Sequence, residues 1–446
     1  MVHGTAASAD RAPLVAIWWL EPSLAFVLVT GVTILAAAAT PVEWYRAYGT
    51  PKHIQGKDVG LAALGILAFV SGGRLASSIP FQPLPLRGAD PRLRRWFYYG
   101  SGLTLVGYLV WLAVARDRGL TPSLLMEMLR GTDDEVAERI KREVLLTVPG
   151  VTTCTQFGVA SAILGCWLLG TGARGVMPML ALVFGLAVAR AFFRSERLAV
   201  LELCVPCVVL ALRVRCLGRP AGRALRWALR GAPLLGVLGA AVFFSGFEYF
   251  RSWRFYRHEE ESFAAFAAWR LAAYYVTAHN NGAMALRFLG PLPLPYYTLA
   301  PFWEFPLVKG SSLSYRNLTG MDPEESHAAM LERFGAPEFN NEGGLFLPML
   351  DFGLLGFGLF WFACGWVCTR AYRGFLVGSA SGLLCYPILY LSLLEVPRLL
   401  YLLSTRSLPA WLMIAAVLAA LRLSPGVGRR ARETAEPPAE RRAPPW

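Results

Sequence analysis

Charge is scarce in this chain. Of its 446 residues, 16% are Asp, Glu, Lys or Arg, where a soluble domain carries about a quarter. So few charges cannot clothe a soluble surface of this length, which excludes a soluble enzyme and a disordered protein. Lysine is rarer still: 4 residues stand against 39 arginines. Arginine is therefore the default base, and a lone arginine carries little information. The five histidines include no pair at metal-ligand spacing, so neither a metal nor another cofactor is expected. The eight cysteines all fall in or beside apolar runs, which implies no disulfide framework. Cys204-Val-Pro-Cys207 has the spacing of a redox pair, but it sits inside an apolar run with no βαβ unit around it. The N-terminus lacks a cleavable signal pattern, and no internal repeat is visible.

Apolar residues are abundant, at 55% of the chain with a mean hydropathy of +0.44. Runs long enough to cross the ~30 Å hydrocarbon core recur throughout. They lie near 22–40, 58–79, 96–115, 150–170, 175–193, 198–214, 231–246, 346–369, 375–393 and 407–422, and 393–406 reads as a partial or re-entrant segment. The expected fold is an all-α polytopic membrane protein of about ten transmembrane helices.

The net charge of +13 would suggest nucleic acid on a soluble protein, but its distribution points elsewhere. Residues 80–95 carry Arg87, Arg92, Arg94 and Arg95 against one Asp, and residues 213–230 carry six arginines and no acid. With 1–13, 170–175, 369–374 and the tail from Arg422, one side of the membrane collects 20 basic and 5 acidic residues. That side holds +15, so the rest of the chain sums to −2. The excess is a topology signal that places both termini in the cytoplasm, and no nucleic-acid partner is expected. The chain then divides into a membrane domain (1–246), a large external loop (247–345), C-terminal spans (346–422) and a basic, Pro-rich tail (423–446). Within the first, residues 120–148 read as an amphipathic helix with Leu129, Val136, Ile140 and Val144 on one face. The loop is rich in aromatics, and Pro291, Pro293 and Pro295 divide it into a helical half and a turn-rich half.

Ionisable groups near a bilayer are costly and are functional candidates. Arg190, Arg194, Arg197, Glu202, Asp351, Glu395 and Arg398 fall at one depth, the outer boundary. They read either as structural ion pairs or as a grip on an anionic headgroup, which the planar fork of arginine suits. In the loop, Arg270, Tyr274, Thr277 and Asn281 share one helical face, suited to sugar hydroxyls and phosphate, while Phe263 and Phe266 would dock the helix elsewhere. His279 falls on the opposite face as a plain polar position. The run Glu338-Phe-Asn340-Asn341-Glu342-Gly-Gly344 leads into Asp351-Phe-Gly and reads either as site residues or as caps and turns. Asp351-Phe-Gly has no other kinase motif with it, and Gly378-Ser-Ala-Ser-Gly382 is on no strand-to-helix turn, so neither carries chemistry.

The order of these elements resembles the oligosaccharide repeat-unit polymerases, the Wzy-like O-antigen polymerase family. The likeness lies in Arg190-Ala-Phe-Phe-Arg194-Ser-Glu-Arg197 before Leu201-Glu202-Leu203, then Arg270 with Tyr274-Tyr275, then Asn340-Asn341-Glu342-Gly343 and Leu350-Asp351-Phe352-Gly353. The resemblance implies a GT-C-like glycosyltransferase of the bacterial inner membrane. Its substrate would be a polyprenyl-diphosphate-linked oligosaccharide, joined to a second unit on the periplasmic face without a nucleotide sugar. Arg194, Arg197 and Arg398, with Arg270, would neutralise the leaving diphosphate, and Glu342 or Asp351 would take the acceptor proton. Glu202 would orient an arginine, with Arg190, Tyr274, Asn281, Asn340, Asn341 and Glu395 completing the substrate site. Expected partners are the lipid-linked saccharide, membrane lipid and a chain-length regulator. A ligase-like transferase, a lipid-oligosaccharide flippase and a non-catalytic scaffold are the alternatives.

Overall fold

The computed structural model describes residues 17–80, 86, 90–130, 139–194, 196–217, 222–257 and 262–423. These are helical, with no strand among them. The long helices are α1 (Pro22–Ala39), α2 (Gly56–Ser78), α3 (Pro91–Asp117), α4 (Phe157–Gly170), α5 (Met177–Arg194), α6 (Leu198–Arg215), α7 (Arg223–Arg251), α8 (Phe263–Phe288), α9 (Leu347–Val377), α10 (Ala380–Glu395) and α11 (Leu408–Arg422). Among the described residues, seven helices are long and apolar enough to cross a membrane: α1, α2, α3, α4 with its preceding turn from Val151, α5, α7 and α9. α10 and α11 are shorter apolar helices. α6 has the length but carries Glu202, Arg213 and Arg215 within its 18 residues. The architecture is that of a polytopic membrane protein.

Local chemistry starts these helices where they begin. Pro22 opens α1 while the Glu21 carboxylate accepts the Leu24 N–H at 2.6 Å; Pro91 opens α3 behind the Asp90 cap on Arg92. Gln55 and Asp58 form a reciprocal capping box on α2. Hydrophobic transfer does not drive helices together in lipid, so close packing must. A Cβ on Gly72 would stand 1.9 Å from the Phe362 carbonyl oxygen, and one on Gly365 1.9 Å from that of Phe69. Only glycine at both positions lets α2 and α9 cross at backbone contact.

Among the described residues the two larger packed cores divide the helices: one joins α3, α4, α5, α6, α10 and α11, and the other joins α1, α2, α8 and α9. Large apolar side chains such as Val32, Leu67 and Leu109 point outward, as bilayer-facing residues do. Gly353 (φ +66°, ψ −171°) kinks α9 six residues after its start. That conformation is open essentially to glycine alone.

Three sequence expectations shift. α7 begins at Arg223 and runs to Arg251, eight residues ahead of the apolar run and five past its end, because arginine is a good helix former. Within 120–148 the described residues form one helix at Pro122–Arg130 and a wide turn at Ile140–Val144, whose Ile140 and Val144 are buried against Tyr108 and Trp111. Val136, the Leu129 side chain, Arg87, Arg219 and residues 424–446 of the 423–446 tail lie outside the described residues.

Candidate functional site

Arg190 and Arg194 are one helical turn apart on α5, so they share a face and both lie over the Trp111 ring of α3, at 5.8 and 5.9 Å. The turn into α6 supplies their common anion. Glu196 takes Arg190 at 2.8 Å on Oε2 and Arg194 at 2.9 Å on Oε1. Arg190 also donates to Thr155 Oγ1 at 2.6 Å, and Arg194 to the Leu145 carbonyl at 2.8 Å. Burial works to raise the Glu196 carboxyl, but Arg190, Arg406 and Arg194 outweigh it and hold it below the usual carboxylate range. Arg406, from the α10–α11 connection, reaches Glu196 at 3.5 Å and grips Glu202 with a two-pronged fork at 2.8 and 3.0 Å. Burial would depress the Arg406 guanidinium; the Glu202 carboxylate overrides it and raises it. Behind this knot, Arg190 and Glu202 line a small cleft with Thr104, Tyr108, Thr155 and Gln156, with room for about one water molecule.

A second knot forms around Tyr274 on α8. Arg197 lies 4.6 Å from the Tyr274 ring and 4.0 Å from Phe244, while Arg398 approaches Tyr274 to 5.8 Å. Arg197 pairs with buried Glu248 of α7 at 3.0 Å, and Glu248 also meets Arg270 at 3.4 Å. Arg270 is fully buried between the rings of Phe339 (4.9 Å), Tyr256 (5.6 Å) and Phe266 (5.9 Å), and reaches Glu338 at 2.7 Å. Arg398 pairs with Glu395 at 3.0 Å. The two knots adjoin, because Glu196 of the first and Arg197 of the second are consecutive in the chain. In all, six guanidinium groups meet five carboxylates among the described residues. Arg270 Nη2 and Arg398 Nε are buried donors without a hydrogen-bond partner among those residues. The arrangement has one positive charge in excess and aromatic walls, so its chemistry suits an anion.

The glycine-rich run threads between α8 and the 395–400 segment. Gly343 has φ +71°, and a Cβ there would stand 2.4 Å from the Ala278 carbonyl oxygen; one on Gly344 would stand 2.4 Å from the Leu399 and Leu400 backbone. Gly343 N–H donates to the Arg398 carbonyl at 3.0 Å, and Asn281 Nδ2 holds the carbonyls of Phe339 (2.6 Å) and Asn341 (2.9 Å). Asn281 thus positions the run. Asn340 is exposed, and Asn341 Nδ2 is buried without a partner among the described residues. Glu342 is half-buried and forms no ion pair among the described residues; loss of water around it, then the Glu324 charge, push its carboxyl up to about 7. Asp351 stands apart from the arginines. It accepts the N–H groups of Tyr296 (2.9 Å), Tyr297 (3.1 Å) and Thr298 (2.6 Å), capping that turn.

Helix α7 borders the site in an unusual way. Its first turns are tied by Trp19 Nε1 to the Leu229 carbonyl at 2.9 Å, and its far end packs through Phe243 and Phe247 on Ala191, Ala199 and Val200. Between these ties residues 234–240 are exposed on every side. Seven consecutive residues cover nearly two turns, so the helix stands off the rest of the protein there.

No family model matches the chain, and no curated protein or solved structure matches it either.

Arg190, Arg194, Arg197, Glu202, Arg270, Tyr274, Glu395 and Arg398 come together in one constellation. Asn281 and the backbone of the Asn340–Gly343 run adjoin it through the Gly343–Arg398 contact; the Glu342 carboxyl lies on the side of Glu324, Tyr296 and Tyr297, and Asp351 does not reach the constellation. Phe266, read as docking elsewhere, stacks beneath Arg270, because the two are one turn apart. His279, read as a plain polar position, is fully buried, with Nε2 2.9 Å from Thr33 Oγ1 of α1 and its imidazole pushed down to about 3 by burial. Sequence reasoning missed Arg406, Glu248 and Asn280. Glu248 had a signal, an acid two residues beyond an apolar run. Asn280 had none: its Oδ1 accepts the His53 N–H at 2.6 Å, 227 positions away.

Proposed function

We propose that the chain is an integral-membrane glycosyltransferase that polymerises polyprenyl-diphosphate-linked oligosaccharides at the periplasmic face of the bacterial inner membrane. In this reading ten helices cross, the seven long apolar ones with α6, α10 and α11, in a GT-C-like arrangement with both termini cytoplasmic. The carrying observation is the meeting of Arg197 and Arg398 at the Tyr274 ring, with Arg270 joined to Arg197 through Glu248, inside aromatic walls and with an excess positive charge.

The reaction needs what this site offers. An acceptor hydroxyl forms a bond to the anomeric carbon of the donor, the bond from that carbon to the diphosphate breaks, and its electron pair leaves with the diphosphate. Guanidinium forks neutralise that charge as it develops, and one such contact is worth roughly 10²–10³ in rate. Arg197 and Arg398 lie closest to Tyr274 and take this role, with Arg194 and Arg190 holding the α5–α6 turn through Glu196. Glu342, with a carboxyl near 7, suits the acceptor proton. Asp351, committed to three backbone N–H groups, positions the 296–298 turn instead. In this reading a polyprenyl chain lies along the exposed apolar stretch of α7, residues 234–240. A chain-length regulator is the expected protein partner.

Purified full-length protein, given lipid-linked oligosaccharide from the cells that make it, should produce a ladder of longer products without nucleotide sugar. Arg398→Lys keeps the charge but loses the fork, and should slow chain growth at least about tenfold while leaving membrane insertion intact. Single additions to another acceptor would assign a ligase-like transferase, and movement of units across vesicles without growth a transporter. A normal ladder in Arg398→Lys would remove this arginine from the site.

A further inference from the structure

The connection from α8 to α9 has a feature unrelated to the arginines. Leu299, Phe302, Phe305, Leu307 and Leu313 are 45%, 51%, 47%, 77% and 58% exposed. They are not strays from a loose loop. The same segment buries Trp303, Tyr296, Tyr297 and Tyr315. Trp303 Nε1 donates to the Pro295 carbonyl at 2.7 Å and Tyr315 Oη to that of Leu294 at 2.8 Å. The Tyr315 ring packs edge-on against Tyr296 and Trp303, at 5.0 and 5.2 Å. One side of the segment is locked down, and its apolar other side is held out.

Two independent contacts set its level. At one end, Asp351 near the start of α9 holds the N–H of Thr298, the residue before Leu299, at 2.6 Å. The next exposed residues of α9, Phe352, Leu354 and Leu355, belong to the surface of a spanning helix. At the other end, Pro306 Cγ lies 4.0 Å from where a Cβ on Gly150 would stand, and Gly150 directly precedes the Val151–Gly170 span. The exposed row therefore stands level with the ends of two spans. Water would meet it as an apolar patch; the boundary of a bilayer accepts short segments with aromatic and leucine side chains on one side. Lys309, ion-paired with Glu304 and Glu324 on the same connection, has the charge and stem length to stay in the headgroup layer.

We infer that residues 299–313 form a membrane-dipping segment that places Phe302, Phe305 and Leu307 in the acyl boundary of the bilayer. Lipid is the occupant because the row continues through the Asp351 contact into the lipid-facing surface of α9.

The test uses the full chain in phosphatidylethanolamine–phosphatidylglycerol vesicles, with an environment-sensitive fluorophore on Leu307→Cys or, separately, on Phe302→Cys. Arg316→Cys, an exposed polar position, is the aqueous reference, and unsubstituted protein treated alike corrects for label on the native thiols. Nitroxide lipids labelled near the headgroup should quench positions 307 and 302 severalfold more than 316, and aqueous iodide severalfold less. Equal iodide quenching at all three positions overturns the proposal. So does protection that disappears as lipid is added to dilute the protein, since that assigns the surface to a second copy.

Discussion

Glu248 serves two masters. It is fully buried, and its carboxylate holds both Arg197 and Arg270. Removing one partner of a buried pair leaves an uncompensated charge and costs about 3–5 kcal/mol. Glu248→Gln should therefore lower the unfolding midpoint in detergent more than Arg197→Lys, which keeps the pair. Differential scanning fluorimetry of both variants checks the order; equal midpoints would mean that Glu248 does not carry the two arginines. Glu342 gives a different signature. Its carboxyl is raised in the fold from 4.5 to about 7, so the folded state binds the proton more tightly than the unfolded one. Stability is full below about pH 4.5, declines as pH rises through this window and levels off above about 7. The unfolding midpoint of Glu342→Gln, followed across pH 4–8, should lack that decline. The pH profile of chain growth should have its acid limb near 7 and lose that limb in the variant.

At the scale of elements, the glycines at 343 and 344 decide where the Asn340–Glu342 run sits. Gly343→Ala meets both a left-handed φ and the Ala278 carbonyl at 2.4 Å, so the run must move rather than the side chain. A cost of roughly 1–3 kcal/mol results, with product formation falling further than stability. Gly290→Ala, where φ is +69° but no heavy atom lies within 4 Å of the added Cβ, separates strain alone from displacement. Comparing turnover and unfolding midpoints of the two variants checks this. The helices were readable in the sequence because a span must be apolar over its length and close its own backbone hydrogen bonds. The arginines of α5 and the charged start of α6 were readable for the converse reason, that charge at such depth is rare. Partners were not. Glu202 and Arg406 lie 204 positions apart, and Asn280 reaches back 227 to His53; no periodicity links residues across such distances. Asp351 was visible as a carboxylate, but its three backbone donors come from a turn whose sequence, Tyr296-Tyr297-Thr298, advertises no need for one.

For the whole molecule, the charge asymmetry makes a prediction independent of the reaction. Reporters active only in the cytoplasm, fused after Met1 or after Arg422, should both be active, and one placed in the 311–320 region should be silent. Activity at 311–320 would overturn the ten-crossing arrangement. The fork between Arg406 and Glu202 has a further consequence, for the order in which the protein is made. Glu202 enters the bilayer with α6, but its arginine is synthesised 204 residues later. At about 5–20 residues per second that is a wait of roughly 10–40 s with an unmatched carboxylate at membrane depth. The nascent chain must spend that interval shielded by water or by the insertion machinery. Arg406→Gln makes the wait permanent, and should shorten the lifetime of newly made protein in pulse–chase labelling even though no span has changed. The α10–α11 connection, arriving late, closes the pair that α6 left open.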